Sequence, residues 1–97
     1  MKFVYLILGF QGHTPLTAQI SDDARSLEVY GVSDLEEAVR VARSLKEKVD
    51  VIELCGGFGE TGARAVEEAM GPHGPAVAYV VHHEGENEKY ARLFGEK

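Results

Sequence analysis

The sequence predicts an α/β protein built on a small, mostly parallel sheet of about four strands with flanking helices, and an antiparallel hairpin near residues 17–32. Three observations carry that prediction. Lys2–Leu8 is an unbroken apolar run with β-prone side chains. From Leu27 onward, β-prone stretches alternate with segments whose apolar residues recur at helical spacing. Gly and Pro clusters fall between them. With 97 residues, one domain over 1–97 is expected, because two separate cores would each be too small to offset chain entropy.

The run from Lys2 to Leu8 reads as a strand covered on both faces, since it does not alternate with polar residues. Gly9 to Pro15 is a loop, with Thr14 biased to extended backbone by the proline that follows. Thr17–Ile20 and Leu27–Val32 flank the polar cluster Ser21–Arg25 and suggest the hairpin. A helix is expected from about Asp34 to Lys48. Ser33 and Glu36 have capping-box spacing, and Leu35, Ala38, Val39, Ala42, Leu45 and Val49 form an apolar stripe. Its solvated face would pair Glu36 with Arg40 and Arg43 with Glu47. Val49–Leu54 is the next strand, followed by the glycine-rich loop Cys55–Gly62. A second helix carries Ala63, Val66, Ala69 and Met70 and stops at Gly71-Pro72. Ala76–His82 is a further strand, and Tyr90, Leu93 and Phe94 mark a short closing helix that ends at Gly95.

Composition narrows the function. Apolar residues make up 44% and charged residues 27%, which is ordinary for a folded soluble protein. Sixteen acidic against ten basic residues give a net charge of −6, so no attraction to nucleic acid or to an anionic membrane is expected. Phe3–Leu8 is too short for a signal-peptide core or a membrane span, and a single cysteine cannot form an internal disulfide. A reducing cytoplasm is the expected setting.

The opening MKFVYLILG, the central VIELCGGFGETGAR, the strand end AYVVHH and the closing LFG together resemble a family of short, uncharacterised prokaryotic α/β proteins, a domain of unknown function. The resemblance covers nearly the whole chain, and its most specific part is the segment ELCGxFGExGA. It implies a compact α/β fold and brings no activity to any residue.

In parallel α/β sheets, ligands bind outside the carboxyl ends of the strands. The expected elements place Gln11 and His13 after the first strand, Cys55 and Glu60 after the central one, and His82 with His83 after the last. His73 falls at the opposite edge. Glu53 lies within Val51–Leu54, where a buried strand should be apolar; it is either a desolvated general acid or base, or a carboxylate paired with a cation or with helix amides. Alternation puts Glu53 and Cys55 on one face. Cys55 precedes a helix start whose amides would favour a thiolate, and His82 or His83 would complete a Cys–His pair oriented by Glu53. The opposing reading of Cys55 is a small buried apolar residue.

Gly57, Gly59 and Gly62 have the spacing of a dinucleotide-binding loop, with Glu84 downstream in the place of a ribose ligand. Only one further strand follows, and Glu60 would set a negative charge beside a pyrophosphate, so that reading is disfavoured. Glycine amides at a helix start suit a smaller anion, with Gly56, Gly57, Gly59, Glu60 and Thr61 around it; alternatively these glycines only permit a tight turn and close packing. No metal site is assigned, since adjacent His82 and His83 point to opposite sides of a strand and no close-spaced ligand pair supports them.

These residues point to a protein that takes up a small polar or anionic metabolite at the strand carboxyl ends, with no cofactor named by the sequence. If it is an enzyme, Glu53 or a histidine would move a proton at a carbonyl substrate, amides of residues 56–59 would stabilise an oxyanion, and Cys55 would act as acid or nucleophile. The alternatives are a non-catalytic oligomeric binding or interaction module, and a metal-binding protein using His and Cys. Exposed sheet edges on so small a domain predict a homo-oligomer in either case.

Overall fold

A computed structural model describes residues 1–11 and 16–94. In chain order the strands and helices are β1 (Lys2–Leu8), β2 (Leu16–Ser21), β3 (Ser26–Val32), α1 (Leu35–Leu45), β4 (Val51–Leu54), α2 (Gly59–Met70), β5 (Ala76–Tyr79) and α3 (Asn87–Leu93), with 3₁₀ turns at Gly56–Phe58 and Glu84–Glu86. The sheet runs β2-β3-β1-β4-β5. β3, β1, β4 and β5 are mutually parallel, and β2 closes one edge antiparallel to β3. The expected α/β class, the mostly parallel sheet and the hairpin are all present, with five strands where about four are expected.

Element ends depart from the sequence reading for local reasons. The capping box sits one residue later than expected: Asp34 is the N-cap and accepts from the Glu37 amide at 2.8 Å. Glu37, which is buried, turns back to accept from the Ser33 amide and hydroxyl at 2.7 and 2.8 Å. Arg40 accordingly faces Glu37 at 3.9 Å, where the spacing suggested Glu36. α1 stops at Leu45 because the chain tightens into i to i+3 turns, with Lys46 donating to Arg43 and Lys48 to Leu45. β5 stops at Tyr79: the Val80 amide makes the last bond, to the Leu54 carbonyl, and β4 ends there.

Alternation along the strands sorts two faces. Val4 and Leu6 of β1, Ile52 and Leu54 of β4 and Val32 of β3 are buried with Ala38 and Ala42 of α1 and Ala63, Val66 and Met70 of α2. The connections β3-α1-β4 and β4-α2-β5 advance in one direction across the sheet, and right-handed crossovers moving one way place their helices on one face. The opposite face carries Phe3, Tyr5, Ile7, Leu27, Val29, Val51, Glu53, Ala76 and Ala78, in lateral register. No described helix of the chain covers it. The expectation that β1 is covered on both faces is therefore corrected: Phe3, Tyr5 and Ile7 are only half-buried.

Beyond β1 the chain folds back over this open face. Gly9, at φ 112°, lets its own amide and that of Phe10 donate to the Val32 carbonyl at 2.8 and 3.0 Å. The Phe10 ring then lies on Gly31, where an added Cβ would come within 2.7 Å of Phe10 Cδ2. At the other end of the sheet, the Lys2 amide donates to Asp50 at 2.8 Å and ties β1 to the entry of β4.

Candidate functional site

The chain leaves β1 toward β2 and β3, and leaves β4 through α2 toward β5. Adjacent strands whose connections depart in opposite directions open a crevice between their carboxyl ends. Here the segments flanking this switch point are Leu8-Gly9-Phe10 and Cys55-Gly56-Gly57, with Leu8 Cδ2 3.6 Å from where a Cβ on Gly57 would stand.

Cys55 occupies the last rung between these strands. Its amide donates to the Leu6 carbonyl at 3.1 Å, as a parallel ladder requires. The next bond of such a ladder would run from the Leu8 amide to the Cys55 carbonyl. The backbone has already turned away, and that carbonyl accepts instead from Phe58 at 3.2 Å. The thiol takes its place: Leu8 donates to Cys55 Sγ at 3.3 Å. Cys55 is half-buried and packs against the core, so the reading as a small apolar residue holds in part, with the sulfur also serving as a ladder acceptor.

Glu53 has different surroundings from those anticipated. Strand β4 is central, yet Glu53 is exposed, because it projects from the face that no helix covers, beside Tyr5 and Ala78. The premise of a desolvated carboxylate is thereby corrected. Glu53 and Cys55 also part company, Cys55 packing against the core while Glu53 borders an open depression of about 460 Å³ with Phe3, Ile20, Asp22, Arg25 and Leu27. Two further depressions lie over α1 and beside Gly71–Val77, away from the switch point.

The glycine loop divides its work. Gly59 has φ 63° and ψ −178°, a conformation open to glycine, and it joins the 3₁₀ turn to α2. Gly62 is a packing position, where an added Cβ would lie 3.2 Å from Phe58 Cβ. Gly56 approaches the Val80 carbonyl, 3.3 Å from where its Cβ would be, and Gly57 lies against Leu8 and Cys55. Glu60 does not stand as a lone negative charge: Arg64, one turn on, donates to it from Nη2 at 2.7 Å and from Nε at 3.2 Å. Those bonds hold the Arg64 guanidinium above its ordinary range. Thr61 is exposed in the first turn of α2.

The remaining candidates lie along or beyond the rim. Gln11 is exposed after β1, and His13 lies outside the described residues. His82 belongs to a C-terminal arm formed by residues 80–94. Its ring stacks on Tyr90 with centroids 3.9 Å apart, and Nε2 lies 2.8 Å from Asn87 Oδ1. His83 is exposed and leads into the second 3₁₀ turn. Among the described residues, no hydrogen bond joins Cys55 to a histidine or carboxylate. No group of three or more His, Cys, Asp or Glu among them could hold a metal ion. Nor is any described helix long and apolar enough to cross a membrane.

Sequence reasoning missed four partners. Arg64 was readable, because Glu60 and Arg64 have i to i+4 spacing on a helix. Phe10 over Gly31, and Tyr90 with Asn87 around His82, left no periodic signal, because each joins a loop residue to another element.

Fold and rim define the class: an open, mostly parallel α/β sheet sheltered by helices on one face, with a switch point beside a glycine-rich helix entry. Within that class, the chain belongs to the family of unknown function DUF6506, whose model matches residues 1–95. No curated protein and no solved structure matches it.

Proposed function

We propose that this protein binds a small anionic metabolite in the crevice between the carboxyl ends of β1 and β4, in a reducing compartment where its thiol stays free. The observation that carries the reading is the switch in connection direction at β1 and β4, at the point where both chains turn on glycine. The backbone amides of Glu60 and Thr61, in the first turn of α2, precede any intrahelical acceptor and are the donors for the anion. Arg64 neutralises Glu60, which removes the repulsion that a bare carboxylate would exert on an anion there. Gln11 and the amides of Gly56 and Gly57 complete the polar lining, with Cys55 as its floor. The chemistry is reversible binding, with the sulfur held as an acceptor for Leu8.

Inorganic phosphate serves as the probe. Titrated into the full chain, it should shift the amide resonances of Gly56, Gly57, Glu60 and Thr61 saturably and slow alkylation of the single thiol by iodoacetamide severalfold. Amide shifts that stay unmoved in this loop, or that move only elsewhere on the surface, overturn the reading.

A further inference from the structure

Among the described residues, two apolar surfaces lack cover. One is the open sheet face, a predominantly apolar surface that includes Phe3, Tyr5, Leu27 and Val51 and continues onto Ile20, which is 67% exposed. Parallel sheets are found almost always with both faces covered. The other is the C-terminal arm, where Val81, Leu93 and Phe94 are 71%, 74% and 75% exposed, and where α3 packs mainly on the 3₁₀ turn that precedes it.

Area and charge name the occupant. The chain exposes 6685 Å² for 10.6 kDa. A folded monomer of that mass exposes about 5,500 Å². The excess, about 1,200 Å², exceeds the roughly 800 Å² that each partner buries in a standard interface. Glu53 is the one charged group among the described strand residues of the open face, and no ion pair or hydrogen bond with another described residue engages it. On the arm, Lys89 pairs with Glu86 at 3.6 Å, whereas Arg92, beside Leu93 and Phe94, has no ion-pair partner among the described residues. Each chain thus carries the unpaired anion Glu53 on a largely apolar face whose edge also holds Asp22 and Arg25, and the unpaired cation Arg92 beside the apolar end of an arm that also carries Glu84 and Glu88. A twofold axis satisfies both sets at once.

We infer that the open face is closed by a second copy of this chain, with the arm of each protomer laid across the strands of the other and Arg92 of one set against Glu53 of its partner. Such a pairing also excludes water from Tyr5 and Phe3, which lie beside Glu53 and Val51 in the sheet.

Sedimentation equilibrium on the full chain at tens of micromolar tests this. The expected mass is twice 10.6 kDa. Glu53→Arg and Arg92→Glu should each weaken the dimer about tenfold, the factor that about 1.4 kcal/mol represents, and the double reversal should recover most of the loss. Leu93→Asp combined with Phe94→Asp should give a monomer with an unchanged circular dichroism spectrum, since both side chains are exposed within the protomer. A wild-type chain that sediments as a monomer overturns the inference. So does a dimer indifferent to the arm substitutions, or a double reversal no better than the sum of its parts.

Discussion

The two faces of this one sheet are made from the same strands and have opposite fates. On one, Val4, Leu6, Ile52 and Leu54 are shut away beneath α1 and α2. On the other, Phe3, Tyr5 and Ile7 alternate with them and remain half-exposed. The residue types hardly differ, so composition does not decide which face the chain covers. Connection direction does: both helical crossovers advance the same way across the sheet, and the return path from β1 goes through strand β2, with no helix to spare for the second face.

Substitutions matched across the strand β1 should separate the faces most sharply. Leu6→Ala empties a fully enclosed site beneath the helices and should cost about 2–5 kcal/mol at any protein concentration. Tyr5→Ala, one residue away on the open face, should cost much less in dilute solution. Its cost should grow as concentration rises, because association with a second copy adds to the stability of the native form. Denaturation at several concentrations checks both. Equal and concentration-independent losses would erase the distinction between the faces.

A smaller effect is expected at the junction that serves the crevice. Gly59 holds φ 63° with ψ −178°, a region that side chains avoid, so Gly59→Ala should destabilise by about 1–3 kcal/mol. Nothing lies within 4 Å of its missing Cβ, which makes the loss one of backbone conformation alone. The neighbouring Gly56→Ala should be milder, since its added Cβ must only ease past the Val80 carbonyl. Urea melts of the two variants give the order, and a reversed order would remove Gly59 as the pivot between the 3₁₀ turn and α2.

Much of this was legible in the sequence. The alternation of β-prone and helical segments gave the α/β class, and the glycine-rich turn after Leu54 located one side of the switch point. Four things were not legible, each for a physical reason. The uninterrupted apolar run of β1 reads as two covered faces whether the second cover comes from this chain or from elsewhere. Glu53 reads as buried because a central strand is ordinarily enclosed, and its exposure follows from the direction of the crossovers, which a local pattern does not encode. The thiol's place in the ladder depends on the chain turning one residue before the pairing ends, as seen in the Phe58 to Cys55 hydrogen bond. The stacking of His82 on Tyr90 and its contact with Asn87 arise within the arm, at sequence separations that follow no regular period.

The least effect is expected at the edge of the open face, where β2 turns into β3, and it is read by acid. Asp22 Oδ1 accepts from the amides of Ala24 and Arg25, at 2.9 Å each, and closes the hairpin as an Asx turn. The bond from Ala24, and then that from Arg25, hold its carboxyl below the ordinary 3.8. The folded form therefore binds this proton more weakly than the unfolded form does. Its contribution to the hairpin is fully present above pH 3.8 and is lost as pH falls through the lowered value. The group is solvent-exposed, so the change should be confined to local protection of the β2–β3 amides and leave the helix-covered face intact. Carboxyl resonances followed by NMR should place the Asp22 midpoint below 3.8, and Asp22→Asn, which keeps the acceptor oxygen, should abolish the acid-side change in amide exchange. A midpoint at or above 3.8 would mean that the two amides do not hold the carboxylate, and the edge strand beside Ile20 would then owe its position to its pairing with β3 alone.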